Sequence, residues 1–271
     1  MQMPASATVS NALGGLPALR TDDLTGLVGG SPLLRLRRSG DSLVWVKHEG
    51  MQPGGSYFDR VALTQLRALP AQSAGIVIDG ATAFTTSALA LAKSLGIRAT
   101  VLVDKEGPQR LVGLIRKLAD ETKVYRSLEQ RDELLAHWRA EGFVSLNRED
   151  VAAHTAALHD VAIEVQEASE LSIGNWVLPD YGVPAEDIER LLRRICGHPV
   201  QVTLIEDDHD MERVLDGSAA SRRAQVGHRE GILIGPMAAE IIDRAVDVAL
   251  TTGERVCAVI PDGGHRFLGW W

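Results

Sequence analysis

Short β-branched runs alternate along this chain with longer stretches whose apolar residues recur every three or four positions, and no other feature restricts its fold as strongly. The runs are Leu43 to Lys47, Gly75 to Ile78, Ala99 to Val103, Lys123 to Tyr125, Trp176 to Leu178, Val200 to Ile205 and Arg255 to Ile260. Between them lie helical patterns at Tyr57 to Leu69, Phe84 to Leu95, Gln109 to Ala119, Leu128 to Ala140, Val151 to Glu170, Ala185 to Cys196 and Ala238 to Leu250. Continuously apolar runs predict strands covered on both faces, as in parallel sheets, and right-handed crossovers then wind helices over both sides. The predicted class is α/β with doubly wound, mostly parallel sheets. Ser56 followed by Asp59 at three residues has the form of a capping box, and Pro184 suits a first helical turn. A length of 271 residues accommodates one large domain or two interleaved ones.

Charge narrows the partners. The chain carries a net charge of −8, with 23 Arg against 5 Lys, which argues against sequence-independent binding to nucleic acid. No stretch reaches the roughly 18 uninterrupted apolar residues of a membrane span. Met1 to Arg20 lacks the charged start and apolar core of an export signal, so a cytoplasmic location is expected. Cys196 and Cys257 are too few for a disulfide framework and lack zinc-ligand spacing, so two buried free thiols are expected.

Four segments, in order, carry a family resemblance. They are Val28-Gly29-Gly30-Ser31-Pro32-Leu33-Leu34-Arg35-Leu36; Val46-Lys47-His48-Glu49 with Gln52-Pro53-Gly54-Gly55-Ser56-Tyr57-Phe58-Asp59-Arg60; Glu230-Gly231-Ile232-Leu233-Ile234-Gly235; and Ile260-Pro261-Asp262-Gly263-Gly264-His265-Arg266-Phe267-Leu268. They resemble the I-G-N-T-P-L-V-R-L, A-K-L-E with N-P-G-G-S-x-K-D-R, E-G-I-L-x-G and L-P-D-S-G-E-R-Y-L motifs of the cysteine synthase and cystathionine β-synthase family. These are pyridoxal phosphate (PLP) enzymes of fold type II that share the tryptophan synthase β fold. Ordered co-occurrence of four motifs is far more specific than any one of them. The resemblance implies two lobes with a cleft between them. The expected division is a flexible N-terminus over 1–12, a larger lobe from 13–40 and 152–271, and a smaller lobe from 41–151.

The same comparison locates the departures. The motif lysine that would form the Schiff base with PLP is replaced by Phe58, which has no nucleophile and cannot move a proton. The family's asparagine loop, T-S-G-N-T-G, which would hold a substrate carboxylate, reads Ala81-Thr82-Ala83-Phe84-Thr85-Thr86. The glycine-rich phosphate cup reads Asp180-Tyr181-Gly182-Val183-Pro184, with Glu186, Asp187 and Glu189 following. Two prolines, Pro179 and Pro184, remove donors, and the carboxylates compete with a phosphate for the positive end of a helix. G-I-S-S-G has become Gly235-Pro236-Met237-Ala238-Ala239, and the serine of P-D-S-G is Gly263. By this reading PLP is absent and no catalytic residue is expected. Residual ligand contacts, to a small carboxylate, fall on Ser56, Ala81, Thr82, Ala83, Phe84 and Thr85.

The expected function is that of a cysteine synthase-like pseudoenzyme, a homodimer that binds or regulates a paralogous or pathway enzyme. One alternative is a PLP-independent enzyme acting on a small amino acid or its conjugate through Thr82, Thr85, Asp262 and His265. A weaker one is PLP-dependent β-replacement through another lysine, with Lys47 a poor candidate. Glu206-Asp207-Asp208-His209-Asp210 reads as a solvated turn, and His154 and His159, five apart, as incidental; no metal site is expected. Trp270 and Trp271 are candidate interface residues.

Overall fold

The computed structural model describes residues 21–37, 43–169, 172–206 and 225–265. Nine strands among these form two sheets. The larger contains β1 (Leu33–Arg35), β2 (Val44–His48), β7 (Asn175–Asp180), β8 (Gln201–Glu206) and β9 (Val256–Ile260) in the order β1-β2-β9-β7-β8, parallel except for β1. The smaller contains β3 (Gly75–Asp79), β4 (Ala99–Asp104), β5 (Glu121–Tyr125) and β6 (Phe143–Leu146) in the order β5-β4-β3-β6, all parallel. The α/β class of mostly parallel sheets is the observed one. β2 lies inside the span expected for the smaller lobe, yet it pairs with β9 in register Val44↔Val256 through His48↔Ile260 and is therefore part of the larger sheet.

Among the described residues, the helices that cover the sheets include α1 (Phe58–Arg67), α2 (Ala83–Ser94), α3 (Gln109–Leu118), α4 (Leu128–Ala140), α5 (Val151–Ser169), α6 (Ala185–Cys196) and α7 (Pro236–Thr252). The two-residue alternation of the strands sorts the core. Ile76 and Ile78 of β3 and Cys257 and Val259 of β9 face one continuous apolar layer with α1, α2 and α5. Val256, Ala258 and Ile260 face the opposite way, against Ile241, Ile242 and Ala245 of α7. Val77 and Leu102 likewise meet Trp138 of α4. The first of these layers holds strands from both sheets, so the two halves share one core. The edge strands β5 and β8 are only partly covered, unlike the buried strands expected there.

Two local expectations are corrected. Asp59 does not complete a capping box with Ser56; its carboxylate accepts hydrogen bonds from the Gly54 N–H and the Ser87 hydroxyl, while Ser56 Oγ accepts from Phe58 N at 3.3 Å. Pro184 is the residue before α6 rather than its first turn. Glu186 and Asp187 at the start of α6, and Arg193 and Arg194 at its end, match its dipole, and Gly197 closes it at φ +74°. Cys257 is buried with its thiol pushed up by desolvation, whereas Cys196 is only half-buried.

Candidate functional site

Three chain turns meet where strands of both sheets end at their carboxyl edges, the usual place for a site in α/β folds. β2 leads through a 3-10 turn, Glu49–Met51, into the start of α1; β3 leads into α2; β7 leads into the turn before α6. Gly50 allows the first of these to approach the loop after β9, because a Cβ there would fall 2.0 Å from Gly263 N. These turns place Tyr57, Phe58, Phe84 and Tyr181 together.

Those rings form a packed cluster with His154, from the first turn of α5. Phe58 meets Phe84 edge-on with centroids 6.0 Å apart and tilts against Tyr181 at 5.0 Å. Tyr57, His154 and Tyr181 are nearly parallel to one another, with centroids 5.0 to 5.8 Å apart. Arg148 sits 5.4 Å over the Phe58 ring, within cation–π range. Phe58 is only 4% exposed. Beside the cluster, Tyr57, His154, Leu158, Pro179, Tyr181, Val183, Ile188 and Val259 enclose a cavity of about 10 Å³, room for a single water. His154, read from sequence as incidental, is buried here, with Nε2 2.8 Å from the Arg148 carbonyl. His159 points outward beside Asp160.

The threonines expected at the second turn are occupied locally. Thr82 Oγ1 accepts from Thr85 N at 3.2 Å as the cap of α2, and the Thr85 hydroxyl donates to the Gly80 carbonyl at 2.6 Å. In the third turn the Gly182 N–H donates to Asp180 Oδ1 at 2.9 Å, with Gly182 at φ +80°. Asp187 pairs with Arg190, and Glu189 Oε1 accepts from Val202 N. Asp262 forms an isolated bridge with Ser56, while His265 is exposed next to Gly263. His48 is buried, and desolvation holds its pKa below the ordinary imidazole value.

Behind the aromatic cluster lies an ionic network that the sequence did not reveal. Arg60 of α1 donates from Nε to Glu49 at 2.6 Å and from Nη1 and Nη2 to Glu164 of α5, both at 2.7 Å. Lys47 donates to Glu164 at 2.5 Å and to the Ser31 carbonyl at 2.6 Å. Glu49 also accepts from the Ser31 hydroxyl and from Gln52, and Gln52 in turn accepts from Gly29 N. Two cations thus face two carboxylates, with Lys47, Arg60 and Glu49 buried and Glu164 partly exposed. Burial pushes the Glu164 carboxyl up, but hydrogen bonds from Arg60 and Lys47 outweigh it and bring the pKa down to about 2. Lys47 beside the apolar run of β2 and Arg60 within the apolar pattern of α1 were the available signal that acidic partners had to exist.

No group of three or more His, Cys, Asp or Glu side chains among the described residues could hold a metal ion, and no helix among them is long and apolar enough to cross a membrane. The acidic run from Asp207 to Asp210, the N-terminal segment 1–12, and Trp270 and Trp271 lie outside the described residues.

Comparison with known proteins places this geometry. A family model described as pyridoxal-phosphate dependent enzyme matches residues 24–181, more than half of the chain. No curated protein sequence matches. Among solved structures, O-ureido-L-serine synthase aligns with a TM-score of 0.76 at 19% identity, over 92% of this chain and 94% of that one. A hydrogen sulfide-producing enzyme from Fusobacterium nucleatum aligns with a TM-score of 0.74 at 15% identity, over 92% and 98%. An O-acetylserine dependent cystathionine β-synthase from Helicobacter pylori gives 0.71 at 13%, again over 92% and 98%. These structures share the two-lobed, tryptophan synthase β-like fold.

The family match corrects the expectation that PLP is absent: PLP is the cofactor that membership implies. The described residues do not, however, fit a cofactor tethered at position 58, where a buried benzyl ring stands. Of the five lysines, Lys47 is spent in the ionic network, Lys93, Lys105 and Lys117 are exposed, and Lys123 pairs with Glu121 on the edge strand β5. From the ordered motifs, the two sheets and the family match together, the chain belongs to the pyridoxal-phosphate dependent enzymes.

Proposed function

We propose that this family member is non-catalytic and serves as a binding or regulatory partner of another enzyme, as a homodimer. One observation carries the reading: at the position of the motif lysine stands Phe58, packed against Phe84, Tyr181, Tyr57 and His154. An aromatic ring can neither attach a carbonyl cofactor nor relay a proton at the substrate carbon. The turn that corresponds to the phosphate cup supports the same reading, because its Gly182 N–H is taken by Asp180. The rival, a repurposed enzyme using Thr82, Thr85, Asp262 and His265, loses support from the hydroxyls of Thr82 and Thr85, which are engaged with their own backbone. The proposal concerns catalysis and not occupancy by PLP.

The test combines three measurements on the purified chain supplied with PLP. β-Replacement is assayed with O-acetylserine and sulfide, borohydride reduction is followed by peptide mass spectrometry, and association is measured by light scattering and by pull-down. The expected result is no turnover, no lysine carrying reduced cofactor, a dimer, and specific capture of another enzyme. Turnover together with cofactor fixed to Lys47 or to another lysine refutes the proposal.

A further inference from the structure

His154 is the one member of the aromatic cluster that can gain a charge near neutral pH, and its burial disfavours that charge. Its Nε2 is directed at the Arg148 carbonyl, and its Nδ1 is buried with no hydrogen-bond partner among the described residues. A neutral ring that donates from Nε2 leaves Nδ1 as a bare acceptor, a modest cost; a protonated ring would bury an unpaired N–H carrying positive charge.

The groups that face His154 can be named from each neighbouring element. From the loop before α5 come Arg148, whose guanidinium disfavours a second cation, and Asp150, which favours one. From α1 and the residue before it come Tyr57 and Phe58, the Tyr57 hydroxyl donating to the His154 carbonyl at 3.3 Å. From the turn after β7 comes Tyr181, and from α6 the apolar Ile188 across the small cavity. His159 and Asp160 lie on the exposed side of α5. Desolvation outweighs the rest, and the His154 imidazole is held below its ordinary range.

The members of the cluster differ in burial. Tyr57, Phe58, Phe84 and His154 are buried, whereas Tyr181 is half-buried and stands on a short turn stabilised by the Asp180–Gly182 hydrogen bond. We propose that the cluster is a proton-operated plug: protonation of His154 at Nδ1 expels the Tyr181 ring and opens the space between the two lobes to water. The proton comes from solvent and no covalent bond changes. The closed form is fully favoured above the ordinary imidazole pKa of about 6.5, and opening rises about tenfold per pH unit below it until the closed-state pKa is reached. This device is independent of whether the chain is catalytic, because neither cofactor nor substrate takes part.

The test is amide hydrogen exchange of residues 180–184 and 151–155 at pH 7.5 and pH 5.5, corrected for the intrinsic pH dependence of exchange. Wild type should show a rise in opening of up to about tenfold at pH 5.5, and His154→Phe, whose ring cannot take a proton, should show none. Equal protection at both pH values in wild type, or the same acid opening in the variant, overturns the proposal. If His154→Phe does not fold, NMR titration of the wild-type His154 ring decides, because a pKa at or above about 6.5 overturns it. Acid effects through His48 are read separately at residue 233, whose backbone it contacts.

Discussion

Glu164→Gln isolates the ionic network with little change of shape, so its cost follows from charge. The wild-type carboxylate accepts from Arg60 Nη1 and Nη2, Lys47 Nζ and Gly30 N. The amide would leave Lys47, 2% exposed, with the Ser31 carbonyl, and Arg60, 4% exposed, with Glu49 as its remaining carboxylate. Removing one partner of a buried pair costs about 3–5 kcal/mol. The pKa provides a second route: a fall from 4.5 to about 2 corresponds to about 3.5 kcal/mol at ~1.4 kcal/mol per unit. Because the Glu164 side chain is 22% exposed, solvent screening lowers that to about 2 kcal/mol. The expected loss at pH 7 is therefore about 2–4 kcal/mol, read as a shift of the urea midpoint at unchanged slope. The sign with pH follows from a depressed carboxyl. Its contribution is complete above the unfolded pKa near 4.5 and is lost as pH falls toward about 2. The gap between wild type and variant should thus close between pH 5 and pH 2. A loss under about 0.5 kcal/mol, the value of an exposed pair such as Asp187–Arg190, or a gap that does not change with pH, would refute the account of the network.

Three further outcomes follow from the site. Phe58→Lys should not restore β-replacement when PLP, O-acetylserine and sulfide are supplied, because the new amine would enter a ring cluster and the 180–184 turn keeps its N–H occupied; a cysteine-formation assay decides. Phe58→Ala removes the ring that touches Phe84, Tyr181, Tyr57 and His154 and should cost about 3–5 kcal/mol in denaturant unfolding. Gly182→Ala meets no atom within 4 Å and suffers only from φ +80°, so it should cost about 1–2 kcal/mol; a loss of twice that would mean that the turn is tighter than described.

Helices α1 to α7 were legible because each keeps apolar residues at helical spacing over ten or more residues, whereas the short helical segment at 225–230 was not. β1 and β6 were not, because each is three or four residues long, and Phe143-Val-Ser-Leu interrupts its apolar run with a serine. Phe58, Phe84 and Tyr181 could be placed through motif alignment. His154 could not, since what brings it to Tyr57, 97 positions away, is the packing of α5 on α1. Glu164 was hidden for a related reason: one glutamate among many on a long helix acquires meaning only when Lys47 and Arg60 are seen to converge on it.

The retained and the altered motif residues separate by what they touch. Ser31, Lys47, Glu49, Gln52 and Arg60 belong to the ionic network, Gly54 and Asp59 hold the turn into α1, and Gly50 lets that turn meet Gly263. Each of these roles belongs to the scaffold and would persist whatever chemistry the cleft performed. Phe58 and Phe84 pack edge to face within the core layer shared by the two sheets. Recognition of the fold therefore rested on residues that hold the frame, while the expectation about the cofactor rested on residues that line the cleft. The first kind of residue fixes the family. The second bears on catalysis at one position and leaves the family's cofactor in place as the implied ligand.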